Sequence, residues 1–126
     1  MAVVSVRYIV YDVDAAIDFY KGQLGFDVET HPAPTFAILS RGDLRLLLSA
    51  PSGPGGGGQT LADGSRPEPG GWNRISLQVS GLDAAIERLK VAGVRLRGER
   101  IHGVGGDQII VEDPSGNPVE LFERQQ

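Results

Sequence analysis

DAAIDFY at Asp14–Tyr20 returns as DAAIERL at Asp83–Leu89, and this doubled segment decides the fold. Each copy follows a short run of alternating apolar residues, at 6–10 and 75–79, which predicts a strand before each helix. The two copies share an offset of about 69 residues, too long for a solenoid repeat. The sequence therefore predicts two equivalent modules that build one site between them.

Both modules follow the same order of elements. Asp12 or Asp14 is suited to cap the first helix, because a carboxylate accepts the free N–H groups of the first turn, and Gly25 is suited to end it. The prediction is an α+β fold of two βαβββ modules, with curved mixed sheets around a ligand cup. The predicted strands are 3–10, 26–30, 36–40 and 44–50 in module one and 73–79, 94–101, 108–112 and 118–123 in module two, and the helices run to about 23 and over 82–92.

Length and composition exclude several classes of protein. The 126 residues fit a single domain, and a net charge of −4 argues against a nucleic-acid partner, which would need a basic face. We find no apolar run long enough for a membrane span and no signal-peptide pattern, so we expect a cytoplasmic protein. The chain has no cysteine, which excludes disulfides and thiolate chemistry.

A segment rich in glycine and proline, residues 51–71, separates module one (1–50) from module two (72–126). It includes four consecutive glycines at 55–58. Such a sequence is costly to order and offers few side chains to bury. Two interpretations stay open, a flexible linker and a loop that closes over a ligand.

Alternation along the strands predicts which faces turn inward. Val6, Tyr8 and Val10 form an apolar set that should pack on the first helix, and Ser5, Arg7 and Ile9 form a mixed set on the other face. In the last strand, Val119 and Leu121 join the helix side, whereas Pro118, Glu120 and Phe122 join the mixed side. One helix-covered face and one mixed face suit a ligand-binding sheet.

The chain resembles the vicinal oxygen chelate superfamily, which holds glyoxalase I, extradiol dioxygenases, and the fosfomycin- and bleomycin-resistance proteins. The resemblance rests on the opening segment from Val10 to Phe26 and on the closing segment DPSGNPVEL at Asp113–Leu121. It implies paired βαβββ modules and, for small members, a homodimer.

Enzymes of this superfamily hold a divalent metal on the first and last strands of each module. The resemblance places those positions on Ser5, Leu46, Arg74 and Glu120. Leu46 has no donor atom, and the permanently charged Arg74 would repel a cation. We therefore expect no metal and no cofactor. Arg74 is expected to pair with Glu120, or with an acidic or carbonyl group of a ligand.

The expected ligand-binding residues give a mainly apolar surface with a few polar groups, which suits a mid-sized organic molecule. Trp72, the only tryptophan, has two open interpretations: a buried core anchor, or a stacking surface for a flat aromatic ligand. His31 and His102 are expected to be solvent-facing loop residues. The full predicted set is Arg7, Phe36, Leu46, Leu48, Trp72, Arg74, Gln108, Glu120 and Phe122.

These expectations favour a metal-free binding protein over an enzyme. Its ligand would be a hydrophobic or aromatic small molecule, an antibiotic in the first instance, held by sequestration, and the acidic surface would attract a cationic drug. The alternative is a glyoxalase- or dioxygenase-like enzyme, either metal-dependent or using Glu120 as a general base.

Overall fold

A computed structural model describes residues 4–51 and 57–125. The chain divides into two compact units, Met1–Pro69 and Gly70–Gln126, and each unit contains one module. The start of the predicted first strand at Val3, and Gly55 and Gly56 of the glycine run, lie outside the described residues. Within the described part of the chain, neither helix has the length and hydrophobicity needed to span a membrane.

Module one is a four-stranded mixed sheet with one helix. The strands lie in the order β1-β4-β3-β2; β1 and β4 are parallel, and the other neighbours are antiparallel. The elements are β1 (Val4–Ile9), α1 (Val13–Leu24), β2 (Asp27–Ala33), β3 (Phe36–Arg41) and β4 (Leu44–Ser49).

The first helix begins and ends where the sequence indicates. Of the two candidate caps, Asp12 is the one used: its Oδ1 accepts a hydrogen bond of 3.0 Å from the N–H of Ala15. Gly25 ends the helix in the left-handed conformation, at φ 73°. The helix face turned to the sheet contributes to an aromatic cluster, in which Tyr20 lies edge-on to Tyr8 of β1 at 6.4 Å between ring centroids. The prediction that Tyr8 faces the helix is confirmed.

Module two repeats the topology. Its strands lie in the order β5-β8-β7-β6, again with one parallel pair, β5 with β8. The α+β fold with two similar modules is thereby confirmed. The elements are β5 (Ile75–Gln78), α2 (Leu82–Val91), β6 (Ile101–His102), β7 (Gly106–Glu112) and β8 (Pro118–Arg124).

The strand predicted over 94–101 is wrong over most of its length. Only Ile101 and His102 form a strand, and Leu96 makes an isolated bridge to Val111. Gly98 lies between these contacts with φ 86°, outside the extended region of backbone conformation. The segment therefore pairs with β7 in two places and breaks between them.

The two helices are capped by different means. Gly81 occupies the place in α2 that Asp12 occupies in α1, and it has no side chain to cap the helix. The backbone N–H of Gly81 instead donates to Glu123 Oε2 on β8 at 2.6 Å. The carboxylate that accepts a hydrogen bond at the start of α2 thus belongs to a residue distant in sequence. The repeat gave no indication of this contact.

The described end of the glycine-rich segment lies against module one. A β-carbon added at Gly57 would overlap the Arg7 guanidinium, and one added at Gly58 would overlap the carbonyl of Ala50. Contact with backbone therefore requires glycine at Gly58, whereas at Gly57 the end of the Arg7 side chain can shift and the positive φ of 84° is what favours glycine. This part of the segment packs on the sheet edge instead of standing away from it.

Candidate functional site

The face of the module-two sheet opposite α2, here called the open face of module two, carries the predicted polar residues. Pairing between β5 and β8 sets Ser76 beside Glu120, and pairing between β7 and β8 sets Gln108 beside Phe122. Cross-strand partners project to the same side of a sheet. Since Val119 and Leu121 are buried on the helix side, Glu120 and Phe122 project to the open face, as the alternation predicts.

Glu120 is held by two neighbours on this face. Arg74 contacts its Oε1 through Nε at 3.1 Å and Nη2 at 3.0 Å. Ser76 Oγ donates to its other oxygen, Oε2, at 2.7 Å. The expected Arg74–Glu120 pair is therefore present, whereas sequence reasoning did not single out Ser76. Both carboxylate oxygens already accept hydrogen bonds, so Glu120 is a neutralised and oriented group.

Trp72 is not a core residue. Its side chain is 67% exposed, so the buried-anchor interpretation is wrong. One face of the indole is covered by the guanidinium of Arg97, whose central carbon lies 4.7 Å from the ring centroid. Arg97 was not among the predicted site residues, because nothing in the sequence around it connects it to a tryptophan 25 positions earlier.

In module one, two of the four predicted ligand residues lie on the open face, the side of the sheet away from α1. Arg7 pairs with Leu47 and its Nη1 donates to Ser49 Oγ at 2.8 Å, while Phe36 pairs with Ser49. Leu46 and Leu48 are fully buried and pair with Val6 and Tyr8 of the helix-side set. Their predicted place on the wall of a ligand site is wrong, because alternation turns them into the core.

The residue equivalent to Glu120 is Leu47, not Leu46. In module two Ser76 pairs with Glu120, and in module one Arg7, 69 positions before Ser76, pairs with Leu47. The one-residue error arises from the hairpins, since two residues separate β3 from β4 and five separate β7 from β8. Aligning the turn glycines therefore shifts the strands that follow. The conclusion that this position offers no metal ligand is unchanged, because both residues are leucines and neither has a donor atom.

A depression of about 450 Å³ lies at the other end of module two. None of the predicted ligand residues lines it; the lining is His102, Gly103, Gly106, Asp107, Glu123, Arg124 and Gln125. Burial alone would raise the pKa of Asp107, but hydrogen bonds from Arg100 and His102 hold that pKa below its ordinary value. Arg100 also pairs with Asp83 at the start of α2. These carboxylates tie the helix to the sheet, so we assign them a structural role.

Both histidines are exposed and both face a carboxylate. His31 Nε2 lies 3.7 Å from Asp14, and His102 Nδ1 lies 3.0 Å from Asp107. They belong to strand β2 and strand β6 and not to loops, which corrects part of the prediction. Neither stands on a position equivalent to Glu120 or Leu47.

The family model described as the Glyoxalase/Bleomycin resistance protein/Dioxygenase superfamily matches residues 2–121. The chain belongs to this superfamily. No curated protein is significantly similar to it in sequence. Among solved structures, a member of the same superfamily from Sphaerobacter thermophilus DSM 20745 is 28% identical, with 98% of each chain covered and a TM-score of 0.76.

Two further solved structures are similar to the chain. TnmS3, an antibiotic binding protein from Streptomyces sp. CB03234, is 25% identical, with 99% of this chain and 97% of that chain covered and a TM-score of 0.70. The genomically encoded fosfomycin resistance protein FosX from Listeria monocytogenes is 19% identical, with 100% and 93% covered and a TM-score of 0.71, and this likeness concerns the fold alone.

The residues present do not fit the divalent metal that enzymes of the superfamily carry. Over residues 4–51 and 57–125, no group of three or more histidine, aspartate or glutamate side chains is placed to hold a metal ion. Glu120, the one acidic residue at an expected ligand position, is committed to Arg74 and Ser76, and Leu47 stands at the equivalent place in module one. A cation bound to Glu120 would lie beside a guanidinium that is always protonated and would be repelled by it.

Proposed function

We propose that this protein binds a hydrophobic, aromatic small molecule reversibly and without a metal, and that the ligand is an antibiotic whose free concentration it lowers by sequestration. The observation that carries the proposal is the state of Glu120. Its carboxylate is neutralised by Arg74 at 3.0 Å and hydrogen-bonded by Ser76 at 2.7 Å. A carboxylate has about four lone-pair sites, and Arg74 and Ser76 already use three of them here, so Glu120 orients the surface and has one site left beside a permanent positive charge, which suits a metal ion poorly.

The composition of each open face supports binding of an organic ring system. In module two, the exposed indole of Trp72 and the half-buried Phe122 supply flat apolar area beside Gln108 and the Arg74–Glu120 pair. In module one, Phe36, Ile38 and Leu47 are half-buried; Ile38 pairs with Leu47, and Phe36 lies two residues before Ile38 on the same face. Apolar surface with a few oriented polar groups is the usual lining of a site for a small organic ligand.

The similarity to TnmS3 supports an antibiotic as the ligand class. An enzymatic role for Glu120 as a general base would leave only the remaining lone pair of Oε2 for the substrate, since Arg74 and Ser76 occupy the other sites. A metal-dependent reaction would require a cluster of acidic or histidine side chains, and the described residues form no such cluster. Binding is therefore the function that agrees with all of these observations.

The test is a binding screen of aromatic antibiotics on the purified protein, read by the fluorescence of Trp72, the only tryptophan. We expect quenching and a rise in melting temperature with at least one ring class. Trp72→Ala should weaken that binding about tenfold or more when it is measured by calorimetry, since loss of a stacked aromatic costs on the order of 1–3 kcal/mol.

Two controls separate binding from catalysis. Glu120→Gln should keep most of the affinity for the ligand, because the carboxylate bonds to Arg74 and Ser76 and not to the ligand. One equivalent of tightly bound metal per chain, measured by elemental analysis, would overturn the metal-free proposal. Consumption of the ligand that Glu120→Gln abolishes would replace binding by catalysis.

A further inference from the structure

We propose that Trp72 and Arg97 form a charge-selective stacking platform, which takes a planar ring system bearing an anionic or electron-rich group and discriminates against the cationic analogue. This inference rests on the proposed function and names the class of ligand. The guanidinium of Arg97 lies 4.7 Å from the indole centroid, on one face of the ring. The Arg97 side chain is 21% exposed and that of Trp72 is 67% exposed, so the guanidinium lies on the inner face and the outer face is open to a ligand.

The guanidinium is fixed in its plane by three acceptors. Its Nε donates to Glu112 Oε2 at 2.9 Å, its Nη1 to the carbonyl of Gly71 at 2.7 Å and its Nη2 to the carbonyl of Gly116 at 3.0 Å. These bonds use the edges of the group and leave its flat face for the indole. Arg97 therefore holds Trp72 without losing its own partners.

The backbone that leads into Trp72 is fixed as well. The N–H of Gly70 donates to Asn117 Oδ1 at 2.7 Å, and Asn117 is buried and held in turn by Asp113 at 3.0 Å. The turn at 113–117 thereby anchors Gly70, while Gly71 is held by Arg97. A ligand that stacks on Trp72 meets a ring that is already ordered, which lowers the entropy cost of binding.

The position of Arg97 decides which charge the outer face accepts. The face of an indole attracts cations because of its negative electrostatic potential, and a cation already bound to one face reduces that potential on the other. Glu112 pairs with the Nε edge of Arg97 at 2.9 Å and offsets part of this effect, so electron-rich or anionic rings stack moderately more favourably. This local effect opposes the net charge of −4, which attracts cations over a longer distance and is screened by salt.

The experiment compares two dyes with the same ring system: anthraquinone-2-sulfonate, and an anthraquinone with a quaternary ammonium group at the same position. Their dissociation constants are measured by quenching of Trp72 in 0.3 M salt, which suppresses the long-range term. We expect wild type to bind the sulfonate about two- to fivefold more tightly, as for a partly exposed charge contact.

Arg97→Met removes the charge and keeps the length of the side chain, so it should abolish or reverse this preference. Arg95→Met is the matched control: Arg95 lies 3.9 Å from the same Glu112, is 81% exposed, and does not cover the indole. It should keep the wild-type ratio. Arg97→Lys retains the charge and should keep a preference for the sulfonate, which protects the test if Arg97→Met folds poorly.

The outcomes distinguish this inference from the proposed function. Equal binding of the two dyes by wild type, or an unchanged ratio in Arg97→Met, overturns the charge-selective platform while reversible binding of aromatic ligands stands. A preference for the cationic dye has the same consequence. Absence of quenching by both dyes overturns the platform, and absence of binding by every antibiotic overturns the proposed function.

Discussion

The Arg74–Glu120 pair should stabilise module two by an amount that a double-mutant cycle can measure. Glu120→Gln removes the charge of the acceptor but leaves the Arg74 donor charged, so hydrogen bonds worth about 1.5–3 kcal/mol each are weakened and not lost. The pair makes contacts at 3.0 and 3.1 Å, but its side chains are 25% and 15% exposed, so water and salt screen part of the effect. We expect Glu120→Gln to lower the free energy of unfolding by about 1–2 kcal/mol.

The assay is urea denaturation followed by the fluorescence of Trp72, which lies in the same unit. With a slope of about 2 kcal/mol per molar, the midpoint should fall by roughly 0.5–1 M. Arg74→Met should cost a similar amount, and the double variant should cost less than the sum of the two by about 1 kcal/mol. Glu99→Gln, at an exposed position in the same unit, is the control and should stay within about 0.5 kcal/mol of wild type.

A coupling energy below about 0.3 kcal/mol would refute the reasoning, because it falls within the error of independent sites. Glu120 would then be free of Arg74 in solution. The argument against a metal ligand or a general base at this position would lose its main support.

Three further predictions concern the scaffold. Burial alone would raise the pKa of Asp107, but hydrogen bonds from Arg100 and His102 lower it, so this carboxylate stabilises the fold above its unfolded pKa and loses that effect as the pH falls through the lower folded value. Asp107→Asn should therefore be less stable than wild type at pH 7, and the difference between their melting temperatures should disappear at a pH below both pKa values. Gly106→Ala should destabilise the protein by more than about 2 kcal/mol, because Gly106 has a φ of 156° and a β-carbon there would overlap a backbone carbonyl. Gly105→Ala is the control: its β-carbon would meet nothing within 4 Å, so it should be nearly neutral in the same denaturation assay. Asp12→Ala should cost about 1 kcal/mol through loss of the helix cap, and a melting temperature equal to that of wild type would contradict the assignment of that cap.

The sequence by itself determined the scaffold. The repeat at Asp14–Tyr20 and Asp83–Leu89 predicted two modules of like topology, and alternation predicted that Tyr8 packs on the helix while Glu120 and Phe122 lie opposite. These features follow from the periods of the helix and the strand, which a few neighbouring residues express. For the same reason the cap at Asp12 and the end at Gly25 could be predicted.

Only the tertiary structure decided which residues meet across the site. Strand register made Leu47, and not Leu46, the equivalent of Glu120, and it brought Ser76 to Glu120 from 44 positions away. The Arg97 guanidinium on Trp72 likewise depends on how the segment at 94–97 pairs with β7. Register and pairing are set by hydrogen bonds between segments far apart in sequence, and a hairpin that differs in length by a few residues is enough to shift them. Local periodicity does not indicate that shift. The contacts between side chains on the open faces could therefore be determined only from the tertiary structure.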